Sequence, residues 1–204
     1  MPHYLQSYNI SDLPPIQAVP LTPDSFAKFG GVLSADHQAE TAESLSANYG
    51  TATKLHDVSP VVNNFEGETG KATWNIFRCL APKQLEKSQN GCRRYQGSVL
   101  ERHPYSTQAF IPMGQPLNED LYLVIVAELD ASTGNKLPIP TTLSAFVCKG
   151  NQSVTYGAGT WHAPMVVIGD AAAYIDFAVL IHESGVADDD CQEVKFESGF
   201  NIVF

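Results

Sequence analysis

From Thr73 onward the chain is a succession of short runs rich in Val, Ile, Phe and Tyr, each closed by a cluster of Pro, Gly, Asn or Asp. Such runs are too short for stable helices, and side chains of this kind fit a pleated, half-buried surface, so the pattern calls for extended structure. The expected strands are 73–80, 96–103, 108–111, 121–128, 144–148, 153–156 and 173–182. Short strands at this spacing fold as a sandwich or a barrel. Between them, 81–94 is polar and reads as a surface insertion in a hairpin, and Gly150-Asn151-Gln152 as a tight turn. With 204 residues, 44% of them hydrophobic, the chain closes a sizeable core, and we read 1–204 as one domain.

One short helix is expected near the start: Thr22 caps it, Pro23 suits its first position, Asp24 suits its dipole, and Gly30 ends it. Phe26 and Phe29 give it one apolar face. Residues 34–47 are polar and alanine-rich, either a loop or a weakly anchored helix. The formal charge of -10 repels phosphate backbones and anionic lipid surfaces, which argues against nucleic-acid and membrane partners. Cys79, Cys92, Cys148 and Cys191 form no C-x-x-C pair and are expected as reduced thiols, with Cys148 a small buried hydrophobe. The opening residues lack a basic and then apolar leader, so a soluble, cytoplasmic protein is expected. Asp188-Asp189-Asp190 lacks the alternating ligand spacing of a calcium loop and reads as a solvated turn.

The chemistry concentrates in Glu101-Arg102-His103-Pro104 and in Gly157-Ala158-Gly159-Thr160-Trp161-His162. Alternation on a strand sends Glu101 and His103 to one face and Arg102 to the other. Gln108 opens the next strand, and Gly157 and Gly159 permit a turn that brings His162 opposite His103. Each of these residues also has a plainer reading. A lone His on a strand is more often a satisfied structural side chain, Glu101 can pair with Arg94, and His56-Asp57 can be a mere cap.

These residues resemble the cupins, whose first motif has the form H-x-H-x4-E and whose second ends G-x-x-H: Glu101-x-His103-x4-Gln108 with Gly114 looks like the first, and Gly159-x-x-His162 like the second. The more specific resemblance is to ureidoglycolate lyases, carried by E-R-H-P-x-x-T-Q-A-F-I-P-M from Glu101 to Met113 and by W-H-x-P at Trp161 to Pro164. Upstream, Asn48-x-Gly50-x3-Lys54-x-His56-Asp57 and Asn75-Ile76-Phe77-Arg78 look like further segments of that family, as does the polar stretch from His182 to Cys191. The departures are the stretch between Arg78 and Gln96, the first ten residues, and Ala163 in place of a second His.

The resemblance implies a cupin-like jelly-roll barrel, mostly β with a few short helices. Its expected activity is cleavage of (S)-ureidoglycolate to glyoxylate and urea in allantoin breakdown. It implies His103 and His162 as acid and base, Glu101 to orient them or hold a proton, and Gln108 beside them. Arg78 or Lys54 would meet the substrate carboxylate, with Asn48 and His56 in the binding set and Asn48 and Gln108 reading the urea group. His103, His162, Glu101 and Gln108 are also the set that would hold a divalent metal such as Ni, Mn or Zn; a metal-free site is equally compatible. A homodimer is expected by analogy. The rival readings are an amidohydrolase that releases ammonia and carbon dioxide from the same substrate, and a non-catalytic cupin that binds a small anion.

Overall fold

The computed structural model describes every residue except 1–2, 40–42, 68, 88–90, 133, 135 and 170–173. Two sheets, one of ten strands and one of five, pack face to face, and a two-stranded hairpin stands beside them. The expectation of a mostly β, cupin-like fold holds, with one refinement: the sheets form an open sandwich rather than a closed barrel. The strand Lys71–Leu80 is left as an edge of the smaller sheet.

The strand Asp120–Ala127 shows why the sheets stack as they do. Tyr122, Val124 and Val126 point into the core between the sheets, against Phe146, Val154, Phe110 and Phe177. Leu123, Ile125 and Ala127 point the other way, into a second core with Leu100, Trp161, Phe196 and Ile202. A strand buried on both faces reads as a continuous apolar run, which is what LYLVIVA is.

Six of the expected strands appear close to their predicted ranges. The seventh, Tyr174–Glu183, begins next to residue 173, which lies outside the described set. The expected strand 96–103 becomes Arg93–Arg102, lengthened at its start by a hairpin with Leu85–Lys87 and cut at its end by Pro104, which restricts the residue before it and offers no N–H. The 81–94 segment therefore carries a strand of the larger sheet, apart from 88–90, and passes from one sheet to the other. The long strand Gln192–Val203 was not expected. It runs antiparallel to Arg93–Arg102 and parallel to Tyr4–Tyr8, with a register break between Lys195 and Phe200.

Thr22 and Ser25 form a reciprocal capping box on the helix Pro23–Phe26. That helix stops at Ala27, and Gly30 opens the strand Gly30–Leu33 instead of ending the helix. A side chain at Gly30 would strike Thr155 O, and its φ of 149° lies where L residues are strained. The open question over 34–47 resolves into a helical turn, Ala35–Gln38, and a strand, Ser44–Ala47, that pairs with Ala52–Leu55; residues 40–42 lie outside the described set. Residues Ala187–Asp190 make a helical turn. All four cysteines are free and Cys148 is fully buried. Among the described residues no helix is long and apolar enough to cross a membrane.

Candidate active site

Three neighbouring strands of the larger sheet bring one rung of polar side chains to its inner face. Glu101 lies directly opposite His162 on one side and Glu193 on the other. His103 follows Glu101 on the same face, as alternation requires, and the ring centroids of His103 and His162 are 5.5 Å apart. From the smaller sheet, Gln108 opens the strand Gln108–Pro112 and faces the rung, while Tyr156, paired with Gln108, lays its ring flat on His162 at 3.9 Å. The site thus sits at one end of the inter-sheet core, with imidazoles from one sheet and supports from the other.

Backbone carbonyls orient both imidazoles. His103 Nδ1 is 2.6 Å from Asp190 O, and His162 Nδ1 is 2.9 Å from Thr160 O. Each contact places the hydrogen on Nδ1 and turns Nε2 into the site. The His103 Nε2 is buried and, among the described residues, meets no hydrogen-bond partner at full geometry, although the Gln108 amide lies close enough to act on the ring. The His162 Nε2 lies 3.2 Å from Gln108 Oε1 and 3.5 Å from Glu101 Oε1. Two oxygens facing one nitrogen attract it only if that nitrogen carries a proton or a cation sits among the groups; turning the Gln108 amide over supplies an N–H for one of the two contacts.

Burial, then the neighbouring His162, push the His103 imidazole down to about 4, so it is a neutral base at ordinary pH. Burial works to raise the Glu101 carboxyl, but the hydrogen bond and charge of His162, with His103 behind, bring it below its usual range. Burial and then Glu101 push Glu193 the opposite way. Cys191 is pushed up to about 12, first by burial and then by Glu101, and is inert as a nucleophile.

Local sequence explains the placement. Gly159 adopts φ 79° and donates its N–H to His103 O at 2.8 Å, tying the two halves of the site together. Gly157, expected to need similar freedom, has an ordinary φ; it is small because Thr160 Oγ1 and Phe29 O crowd it. Arg102, on the opposite face as expected, stacks its guanidinium 4.7 Å over Trp161 and binds Gln192 Oε1 and Lys136 O. Ala163, like Trp161, packs into the second core, away from His162, so a His at 163 would not reach the site from this strand.

The remaining expected residues lie elsewhere. Arg78 is on the outward face of the edge strand, its fork closed on Asp176 by contacts of 2.8 Å and 2.8 Å and stacked 4.2 Å over Tyr174. The expectation that this fork grips a substrate carboxylate is corrected on that ground, because its Nε and Nη2 are committed to Asp176 on the face turned away from the rung. Asn48, Lys54 and His56 lie in or beside the hairpin of Ser44–Ala47 with Ala52–Leu55, whose strands, among the described residues, pair with each other alone; Asn48 and Lys54 are exposed, and the half-buried His56 keeps Nε2 without a partner among the described residues. Glu193, Tyr156 and the Asp190 carbonyl were not foreseen. A signal existed for the first two, since Tyr156 ends a short β-branched strand and Val194, Phe196, Phe200 and Ile202 alternate. A backbone carbonyl leaves none.

One ligand atom each from Glu101, His103 and His162 lie within 4.8 Å of one another. Two imidazoles with tautomers fixed by carbonyls, one of them with an Nε2 that meets no partner at full geometry among the described residues, and a carboxylate fit a divalent cation of the Mn, Ni or Zn kind. Gln108, a weaker donor, adjoins the set. The Glu101 carboxylate also opens on a cavity of about 200 Å³ lined by Phe77, Cys79, Leu80, Phe110, Pro164 and Met165.

Comparison with known proteins agrees with this geometry. The family model for ureidoglycolate lyase matches residues 13–203. The chain is 43% identical to the ureidoglycolate lyase of Saccharomyces cerevisiae, covering 90% of this chain and 95% of that one. It is 41% identical to that of Schizosaccharomyces pombe over 92% and 94%, and 33% identical to that of Burkholderia mallei over 76% and 77%. With most of its length matched and its paired imidazoles set across two strands, the chain belongs to the ureidoglycolate lyase family.

Proposed function

We propose that this protein cleaves (S)-ureidoglycolate to glyoxylate and urea, and that His103 begins the reaction. The observation that carries the reading is the buried His103 Nε2, without a full hydrogen bond among the described residues, held as a base by the Asp190 carbonyl and facing the Glu101, His162 and Gln108 cluster. The base takes the proton of the substrate hydroxyl, the oxygen's electron pair forms the aldehyde carbonyl, and the bond from carbon to the ureido nitrogen breaks. That nitrogen takes a proton from His162, which stands against Glu101 and so keeps a carboxylate beside its positive form. Gln108 meets the urea amide, and Lys54, with Asn48 and His56 on the same arm, is assigned to the substrate carboxylate.

The ligand-atom spacing of Glu101, His103 and His162 supports a second reading, in which these residues hold a divalent cation. Such an ion would polarise the substrate oxygen as a Lewis acid. Incubation of the protein with racemic ureidoglycolate, before and after dialysis against chelator, tests both. Glyoxylate and urea are expected in equal amounts. Ammonia in place of urea would identify an amidohydrolase, and no glyoxylate above the spontaneous rate would leave only a binding protein. Activity that survives chelation would remove the metal reading.

We also propose that the enzyme works as a homodimer in the cytoplasm. Free cysteines fit a reducing compartment. The edge strand Lys71–Leu80 leaves Trp74, Ile76 and Leu80 exposed, an edge that monomers avoid.

A further inference from the structure

A second and roomier cavity, about 570 Å³, lies away from the imidazole pair, between the Ala35–Gln38 turn and the strands at Asp120 and Lys149. Its volume is in the range of small-molecule sites. The inner wall is apolar, from Leu21 and Val147, and the rim is charged.

Two oxygens in its lining are unsatisfied. Ser34 is 4% exposed and its Oγ has no hydrogen-bond partner among the described residues. Ser34 occupies the N-cap position, where a serine hydroxyl ordinarily binds the first turn, yet here it makes no such bond. Gln38 Oε1 instead accepts from the Ser34 N–H at 2.8 Å. Asn151 Oδ1 is also buried and, among the described residues, unpartnered, while Asn151 Nδ2 donates to Asp36 Oδ2 at 2.5 Å. An amide oxygen only accepts, so what satisfies it must bring an N–H or O–H. A buried polar group left bare is costly, so both oxygens call for a donor.

The charges point the same way. Lys149 stands directly opposite Asp120 across the antiparallel pair, and Asp36 brings a second carboxylate to the same rim. The net charge of -10 adds a long-range attraction for cations. We propose that this cavity is a binding site for a small organic cation, an ammonium or guanidinium group on a short apolar body. The N–H groups meet Asp36, Asn151 Oδ1 and Ser34 Oγ, and the body lies on Leu21 and Val147.

Agmatine, which carries both kinds of cationic group on a short alkyl chain, is a suitable probe. Calorimetric titration of the full chain is expected to show saturable binding, weakened about tenfold or more by Asp36→Asn. Glu101→Gln, at the other site, should leave it unchanged. NMR spectra of the unaltered chain should show the Leu21 and Val147 methyl signals moving with the same saturation, which guards against a variant that fails to fold. No saturation at millimolar agmatine, equal binding by Asp36→Asn, or binding lost in Glu101→Gln would each overturn the proposal.

Discussion

His103 Nδ1 meets Asp190 O at 2.6 Å across 87 residues of sequence, and the carboxylate of that same Asp190 holds the turn in place. Its oxygens accept from Ser184 N at 2.6 Å, Ser184 Oγ at 2.9 Å and Gly185 N at 2.7 Å. The acidic run is thus a strut for the base as well as a solvated turn. Asp190→Ala should cost about 2 kcal/mol in stability, measured by urea unfolding, and lower kcat more than it raises KM. An unchanged kcat would mean the carbonyl keeps its place without the side chain.

His103→Asn is expected to lower kcat by about a hundredfold or more, and His162→Asn comparably, because each removes one proton-transfer group. Glyoxylate formation reads both. The double variant should lose little beyond the worse single, since the two act on one bond.

Acid should destabilise the metal-free chain in a defined window. His103 titrates at about 4 when folded and near 6.5 when unfolded, so the unfolded state takes the proton first. Stability is therefore fully present above about pH 6.5 and declines as pH falls toward 4, by at most roughly 3 kcal/mol from this group. Glu101, held below its usual range, acts in the same direction as pH falls through its folded value. Thermal melts of wild type and His103→Asn across this range check the assignment: the variant should lose most of the slope.

Ala163→His should not restore a second active-site imidazole. Ala163 is 3% exposed against Trp161 and its neighbours, so the larger polar ring would be buried without a partner, at roughly 3 kcal/mol. A lowered unfolding midpoint without added activity is the expected result; a gain in kcat would reverse it.

Ile76→Lys places a charge in the middle of the exposed edge strand, where Ile76 is 72% exposed. Light scattering should show dimer in the parent and monomer in the variant. A parent that is monomeric at every concentration would remove the dimer.

Much of the fold was legible because it rests on local repeats. The apolar run LYLVIVA, the capping signal at Thr22 and the alternation of Glu101 with His103 all appear in place, since each depends on a backbone period or on neighbours a few residues away. The strand Gln192–Val203 was missed although its apolar residues alternate, because Ser198 and Gly199 interrupt the pattern where the register breaks. Arg78 was misplaced for a different reason: position on an apolar strand gives a side chain's parity but not which face has a core behind it. The sequence by itself determined seven strands between Lys71 and Glu183, the site residues Glu101, His103, Gln108 and His162, and the family they belong to. Only the tertiary structure decided that Asp176 claims Arg78, that Tyr156 and Gln108 from the second sheet close on His162, and that Asp190 sets the tautomer of His103. Those pairings join residues far apart in the chain, and no local pattern encodes them.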